Sequence, residues 1–237
     1  MSLFSEKELI YTPKVVKDYS ELRENFNETD KIYFDYINAL GVKNKVVADL
    51  GCGDGRQAEH VHEMGATSVI GVDINPAMIS IAQEKWQGTP GIEFKVANGK
   101  ETGLPSESVD LVMSNFAIHY FTEASDVFNE ISRILKPGGS CVCTFNATDV
   151  APGFEKKLYN TPMPIRLGHG EASVVVQNLI KSSDELQAAI TNAGLVIEKG
   201  DVLDHPNAVV DDPFEHKKHI EKYAVLLVIR KPEKKRE

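Results

Sequence analysis

The sequence predicts an α/β fold in which seven strands, most of them parallel, form one sheet with helices on both faces. Three observations predict it. Residues 46–55 read Val-Val-Ala-Asp-Leu-Gly-Cys-Gly-Asp-Gly, an apolar strand-length run followed by glycines at alternate positions. That pattern reads as a buried parallel strand and a sharp turn that lets a ligand approach the backbone. Residues 67–73, Thr-Ser-Val-Ile-Gly-Val-Asp, form a second, β-branched run that ends in Asp73, 22 residues after Gly51. Helix-period segments then alternate with strand-length runs as far as Ile229.

The glycine turn sits at a strand-to-helix junction, because residues 56–62 continue as a helix, and open α/β sheets bind nucleotides there. What the turn lacks narrows the choice. A dinucleotide fingerprint Gly-x-Gly-x-x-Gly starting at Gly51 needs glycine at position 56, which is Arg56 here. Asp49 and Asp54 also put carboxylates where a pyrophosphate wants backbone N–H groups and no negative charge. A cationic ligand suits them better, and S-adenosylmethionine has an ammonium, a sulfonium and a ribose but no phosphate. Asp73 stands near the spacing at which such folds set a carboxylate on ribose hydroxyls. Pro76 suits the first turn of the next helix, whose apolar face is Met78, Ile79, Ile81 and Ala82.

Four motifs follow one another in order: Asp-Leu-Gly-Cys-Gly-Asp-Gly at 49–55, Val-Asp-Ile-Asn at 72–75, Ser-Val-Asp-Leu-Val-Met-Ser-Asn-Phe-Ala-Ile-His-Tyr at 108–120, and Arg-Ile-Leu-Lys-Pro-Gly-Gly at 133–139. With them, residues 46–145 resemble the class I S-adenosylmethionine-dependent methyltransferases, most closely the small bacterial-type enzymes of methyltransferase type 11 or 25. The resemblance implies a Rossmann-like sheet with an antiparallel C-terminal strand. It also implies S-adenosylmethionine as cofactor, S-adenosylhomocysteine as product, and cofactor contacts at Asp49, Gly51, Cys52, Gly53, Asp73, Ile74, Asn98, Gly99 and Asn115.

The remaining elements follow in chain order. Residues 1–40 space Tyr11, Val15, Val16, Tyr19, Leu22 and Phe26, then Ile32, Tyr33, Tyr36, Ile37 and Leu40, as two amphipathic helices forming an N-terminal cap. In the methyltransferases that the chain resembles, such helices lie over the cofactor and help form the acceptor pocket. Tyr11 and Tyr19 are therefore candidate substrate residues, with core packing as the alternative. Residues 92–97 read as a third strand ending in Asn98-Gly99. The family usually has Asp at the first of these positions, contacting the adenine amino group, and Asn98 retains an accepting oxygen; a plain turn is the alternative. Residues 108–115 form the fourth strand, and His119 and Tyr120 leave its C-terminal end as candidate acceptor and catalytic residues. A structural role is the alternative for His119.

Residues 124–136 read as a helix stopped by Lys136-Pro137-Gly138-Gly139, with the cation at its negative end. The fifth strand is 140–145. Residues 146–180, broken by Pro152, Gly153, Pro162, Pro164, Gly168 and Gly170, read as an inserted arm. Closed over the site as a lid, the arm brings Arg166 and His169 to the acceptor; as a dimerisation arm, it pairs an edge strand at 174–176 with a second copy. A helix starts at Ser182 and stops at Gly194. Residues 195–202 and 223–229 are the last strands, joined by a polar surface loop carrying His205, His216 and His219. The methyltransferase domain is thus 41–231, followed by a flexible tail at 232–237.

Composition agrees. The chain has 237 residues, 42% of them hydrophobic, which is enough for one α/β domain, and no apolar run long enough to span a membrane. With charges in residues 1–8 in place of a signal peptide's apolar stretch, a cytoplasmic protein is expected. The three cysteines are expected to be free thiols, and neither their spacing nor the histidines point to a metal site. A net charge of −9 argues against a nucleic-acid substrate. The expected partner is a small-molecule acceptor, met by a monomer or homodimer, and the expected reaction is direct methyl transfer to an O, N or C nucleophile. The alternatives are an RNA methyltransferase and a non-catalytic S-adenosylmethionine-binding subunit.

Overall fold

The structure, a computed structural model, describes residue 16 and residues 28–146, 162–167, 174–179, 181–211 and 218–234. Its elements, in chain order, are α1 (Glu28–Leu40), β1 (Val46–Leu50), α2 (Arg56–Glu63), β2 (Ser68–Asp73), α3 (Pro76–Lys85), β3 (Ile92–Val96), β4 (Val109–Asn115), α4 (Ala124–Ile134), β5 (Leu135–Asn146), β6 (Pro162–Leu167), β7 (Val174–Leu179), α5 (Ser183–Asn192), β8 (Val196–Asp211) and β9 (Lys218–Arg230). One sheet holds all the strands in the order β3-β2-β1-β4-β5-β9-β8-β6-β7.

β1 to β5 pair in parallel, and β9 runs antiparallel to β5, as the resemblance implies. Alternate side chains along these strands feed two cores, as a period of two requires. Ala48, Leu50 and Val112 pack with Phe128 and Ile131 of α4 and Ile190 of α5. Val47, Leu111 and Met113 pack with Tyr33 and Ile37 of α1 and Ala58 and Val61 of α2. The inner parallel strands are therefore buried on both faces and read as largely apolar runs for that reason, whereas β3, at the edge, alternates apolar and charged residues. Caps set the helix starts where the sequence signals them. Asn75 Oδ1 accepts from the N–H of Ala77 at 2.9 Å ahead of Pro76, and Ser182 Oγ accepts from the N–H of Glu185 at 3.0 Å.

Three expectations change. The helix at 124–136 ends at Ile134, and Leu135 already pairs with Val109 in β5, with a register shift before Ser140 resumes the ladder opposite Leu111. Lys136 consequently leaves the helix end and donates to both carboxylate oxygens of Asp110 at 2.8 Å. Lys231, distant in sequence, takes its place, donating to the carbonyls of Ser132 and Leu135 at 2.8 Å. The polar stretch expected as a loop extends the sheet instead, since β8 runs on to Asp211 and β9 begins at Lys218. Pairing with β9 and β6 satisfies its backbone, which outweighs a composition poor in strand formers. Within the inserted arm, β6 and β7 form an antiparallel hairpin that brings the sheet to nine strands, with β7 at the edge. β6 meets β8 only from Ile165 onward, past both of its prolines, which can donate no ladder hydrogen bond.

Candidate functional site

Because β1 to β4 are parallel, the glycine turn, Asp73-Ile74-Asn75, Asn98-Gly99 and residues 115–120 all leave the same edge of the sheet. The glycine turn is pinned from below: Gly51 and Cys52 donate backbone N–H bonds to the Val72 carbonyl at 2.7 and 3.1 Å, and Gly55 donates to Cys52 at 3.1 Å. All three glycines are left-handed, with φ of 76°, 55° and 80° for Gly51, Gly53 and Gly55. Their missing side chains serve different ends. A Cβ on Gly51 would lie 2.2 Å from Ala117 Cβ, and one on Gly55 would lie 2.5 Å from Phe94 and 2.9 Å from Trp86 Nε1, so these two admit neighbouring protein. At Gly53 a Cβ would meet nothing within 4 Å. Gly53 alone of the three leaves open space.

Asp73 ends β2 and grips this turn. Its Oδ2 accepts from the N–H of Gly53 at 3.0 Å and its Oδ1 from the N–H of Asn75 at 2.8 Å, and a carboxylate has capacity left for a further donor. Burial pushes the Asp73 carboxyl up, against the downward pull of the backbone N–H groups of Asn75, Gly53 and Ile74. The adjacent Ile74 is exposed, offering an apolar surface beside the carboxylate. Asp49, within β1, is 1% exposed, and neither of its carboxylate oxygens accepts a hydrogen bond from the described residues. Burial, and next the charge of Asp73, raise it from the usual 3.8 to about 7, with the Arg56 guanidinium opposing. Such an atom pair is ready to accept from a cationic donor. Asp54, read from sequence as a second carboxylate facing the ligand, is instead bound by Lys85 at 2.6 Å. Cys52 is buried with its thiol pushed up, first by burial and then by Asp49, Asp73 and Asp54, which makes it an inert thiol.

At Asn98 the side-chain oxygen accepts from the N–H of Lys100 at 3.1 Å and the carbonyl from the N–H of Glu101 at 2.9 Å, an Asx turn. Gly99 is buried against Phe121, whose ring edge would lie 2.5 Å from an added Cβ. His119 sits in a 3-10 turn, Ile118–Tyr120, and is 2% exposed, its ring 4.5 Å from that of Tyr120 and 6.4 Å from that of Phe116. Asn115 donates through Nδ2 to Asp30 at 2.9 Å and accepts through Oδ1 from Thr144. The backbone of Arg166 lies in β6, opposite Val175 and Val209, with β5, β9 and β8 between it and β4. Tyr11, Tyr19 and His169 lie outside the described residues. Phe94, Trp86, Ala117 and Phe121 were not legible as site residues. Each is apolar or aromatic and reaches the turns only through the fold.

Residues 48–143 match the model of a family described as a methyltransferase domain. Residues 48–143 carry a methyltransferase domain, on the fold of S-adenosylmethionine-dependent methyltransferases. A demethylmenaquinone methyltransferase from Chlorobaculum parvum is 28% identical over 179 residues, 65% of this chain and 71% of that protein. A malonyl-(acyl-carrier protein) O-methyltransferase from Marinomonas is 24% identical over 168 residues, 70% of this chain and 62% of that protein. Among solved structures, an S-adenosylmethionine-dependent methyltransferase from Mesorhizobium loti shares the fold, with a TM-score of 0.60 and 19% identity over 83% of this chain and 96% of that one. The methyltransferase has no helix, among the described residues, long and apolar enough to cross a membrane, and no described cluster of metal-ligating side chains.

Proposed function

We propose that this methyltransferase moves a methyl group from S-adenosylmethionine to an O, N or C nucleophile on a small molecule. The observation that carries the cofactor reading is the pair of carboxylates at the glycine turn. Asp49 is buried with both oxygens open to a donor, and Asp73 is held by the N–H groups of Gly53 and Asn75 with accepting capacity to spare. In this reading Asp73 holds the ribose hydroxyls, Ile74 and Gly99 flank the adenine, and Asn98 accepts from its amino group. Asp49, with Gly51, Cys52 and Gly53 of the turn that follows it, faces the cationic end. The sulfonium supplies an activated methyl, so the protein's work is to hold acceptor and methyl in line and to exclude water. His119 and Tyr120 stand on the acceptor side, and a base is needed only for an acceptor that arrives protonated.

A small acceptor is supported by the names of the relatives, a demethylmenaquinone methyltransferase and a malonyl-(acyl-carrier protein) O-methyltransferase, and by the net charge of −9, which disfavours a polyanion. Three free, buried cysteines suit a reducing cytoplasm, and S-adenosylmethionine chemistry of this kind needs no metal. Profiling with methyl-labelled cofactor against metabolite, protein and RNA fractions tests the reading. Label is expected among small molecules. Label confined to RNA would replace that acceptor class, and tight cofactor binding with no transfer to any fraction would make the chain a cofactor-binding subunit.

A further inference from the structure

Asp30 of α1 is fully buried, far from any motif that the sequence offers. A carboxylate removed from water persists only where partners hold it. Its Oδ2 lies 3.6 Å from the Arg56 guanidinium, at the start of α2 directly after the glycine turn. Its Oδ1 accepts from Asn115 Nδ2 at 2.9 Å, at the end of β4. The other end of that amide, Asn115 Oδ1, accepts from the hydroxyl of Thr144, the residue opposite Asn115 in the β4–β5 register. Thr144 Oγ1 in turn accepts the backbone N–H of Phe116 at 3.0 Å, an N–H that also reaches the Thr144 carbonyl at 3.1 Å. Every donor in this chain points toward Asp30, so its charge polarises each bond in the same sense.

The chain ends where the backbone needs holding. Phe116 has φ of 55°, a left-handed conformation that a bulky residue keeps only when its neighbours over-determine it. The next residue, Ala117, is the one packed onto Gly51. We propose that Asp30 is a positioning residue of the cofactor site. Through Arg56 it holds the helix behind the glycine turn, and through Asn115, Thr144 and Phe116 it holds the acceptor-side turn against Gly51. Asn115 then acts as a link in this chain and not as a cofactor ligand. The inference rests on the reading of this edge as the S-adenosylmethionine site.

The test uses the full chain and four variants, D30A, D30N, T144V and T144S, titrated calorimetrically with S-adenosylhomocysteine. Amide exchange at Phe116 and Val112 is followed by NMR in the same proteins. D30A and T144V are expected to weaken binding about tenfold and to speed Phe116 exchange by about the same factor, the worth of one lost hydrogen bond in a charged chain, with Val112 unchanged. T144S keeps the hydroxyl and should bind as the parent does. D30N keeps the acceptor for Asn115 but loses the charge facing Arg56, and should fall between. T144V is nearly isosteric, so the test stands even if D30A fails to fold. Parent-like affinity and Phe116 exchange in T144V would overturn the proposal, as would a Val112 amide that speeds up equally, which would make the network a purely structural one. A parent chain that does not bind S-adenosylhomocysteine would overturn the cofactor reading, and this proposal with it.

Discussion

Asp49 makes the cofactor site pH-dependent, with a definite sign. Its carboxyl stands at about 7 in the free protein against a usual 3.8, driven first by burial and then by Asp73, with Arg56 opposing. Tyr33 of α1 and Cys52 of the turn also face it, and its charge is one reason both of those groups are pushed up. A raised carboxyl contributes stability that is fully present below the unfolded value and is lost as pH rises toward 7. The shift corresponds to at most about 4 kcal/mol of stability lost between pH 4 and pH 7 in the free protein. A cation bound beside Asp49 restores the charged form. At pH 6 about nine-tenths of the free protein carries the proton, so binding S-adenosylmethionine should release close to one proton, and affinity should fall about tenfold per unit below pH 7. Calorimetry at pH 6 in two buffers of different ionisation enthalpy measures the release directly. Asp49→Asn should sharply reduce it, make the pH slope of stability shallower, with the raised Asp73 carboxyl supplying part of what remains, and weaken binding at pH 8, where the native group is already charged. Identical binding enthalpies in both buffers, or an Asp49→Asn protein with the parent's pH slope, would refute the reasoning.

Asp73→Ala should weaken S-adenosylmethionine binding by about one to two decades, the worth of a charge-assisted bond, and lower stability by about 1–3 kcal/mol because the N–H groups of Gly53 and Asn75 lose their acceptor; calorimetry and urea melts read the two effects separately. Gly51→Ala should cost stability and cofactor affinity together, since the added Cβ would sit 2.2 Å from Ala117 Cβ at a left-handed φ of 76°. By contrast, Gly53→Ala meets open space and should cost only the strain of its left-handed φ of 55°, without the steric clash of Gly51→Ala, so the Gly51→Ala protein should melt lower and comparing the two melting curves checks the division of roles. His119→Ala should lower turnover on the identified acceptor with cofactor affinity nearly unchanged; loss of the folded state would instead assign this buried ring to packing.

What the sequence determined by itself is local. The glycine turn, Asp73 at the end of a β-branched strand and the caps at Asn75 and Ser182 each depend on residues within one strand-turn-helix unit, where backbone sterics and short-range hydrogen bonds decide. Although their order in the sheet came from the pairing, the parallel strands themselves were also legible, because burial of the inner strands on both faces writes itself as apolar runs. The length of β8 and β9 was not, because a polar stretch becomes a strand only when a partner strand such as β6 satisfies its backbone. Lys231 took the role expected of Lys136 for a related reason. A helix end attracts whichever ammonium the fold delivers, and Asp110 had already claimed the near one. The charge state of the site belonged to the tertiary structure as well. Asp54 is neutralised by a lysine from α3, Asp49 is stripped of water by the sheet around it, and Asp30 meets Asn115 across 85 residues of chain. Desolvation and ion pairing act through space, so they enter only once the strands and helices have closed on one another.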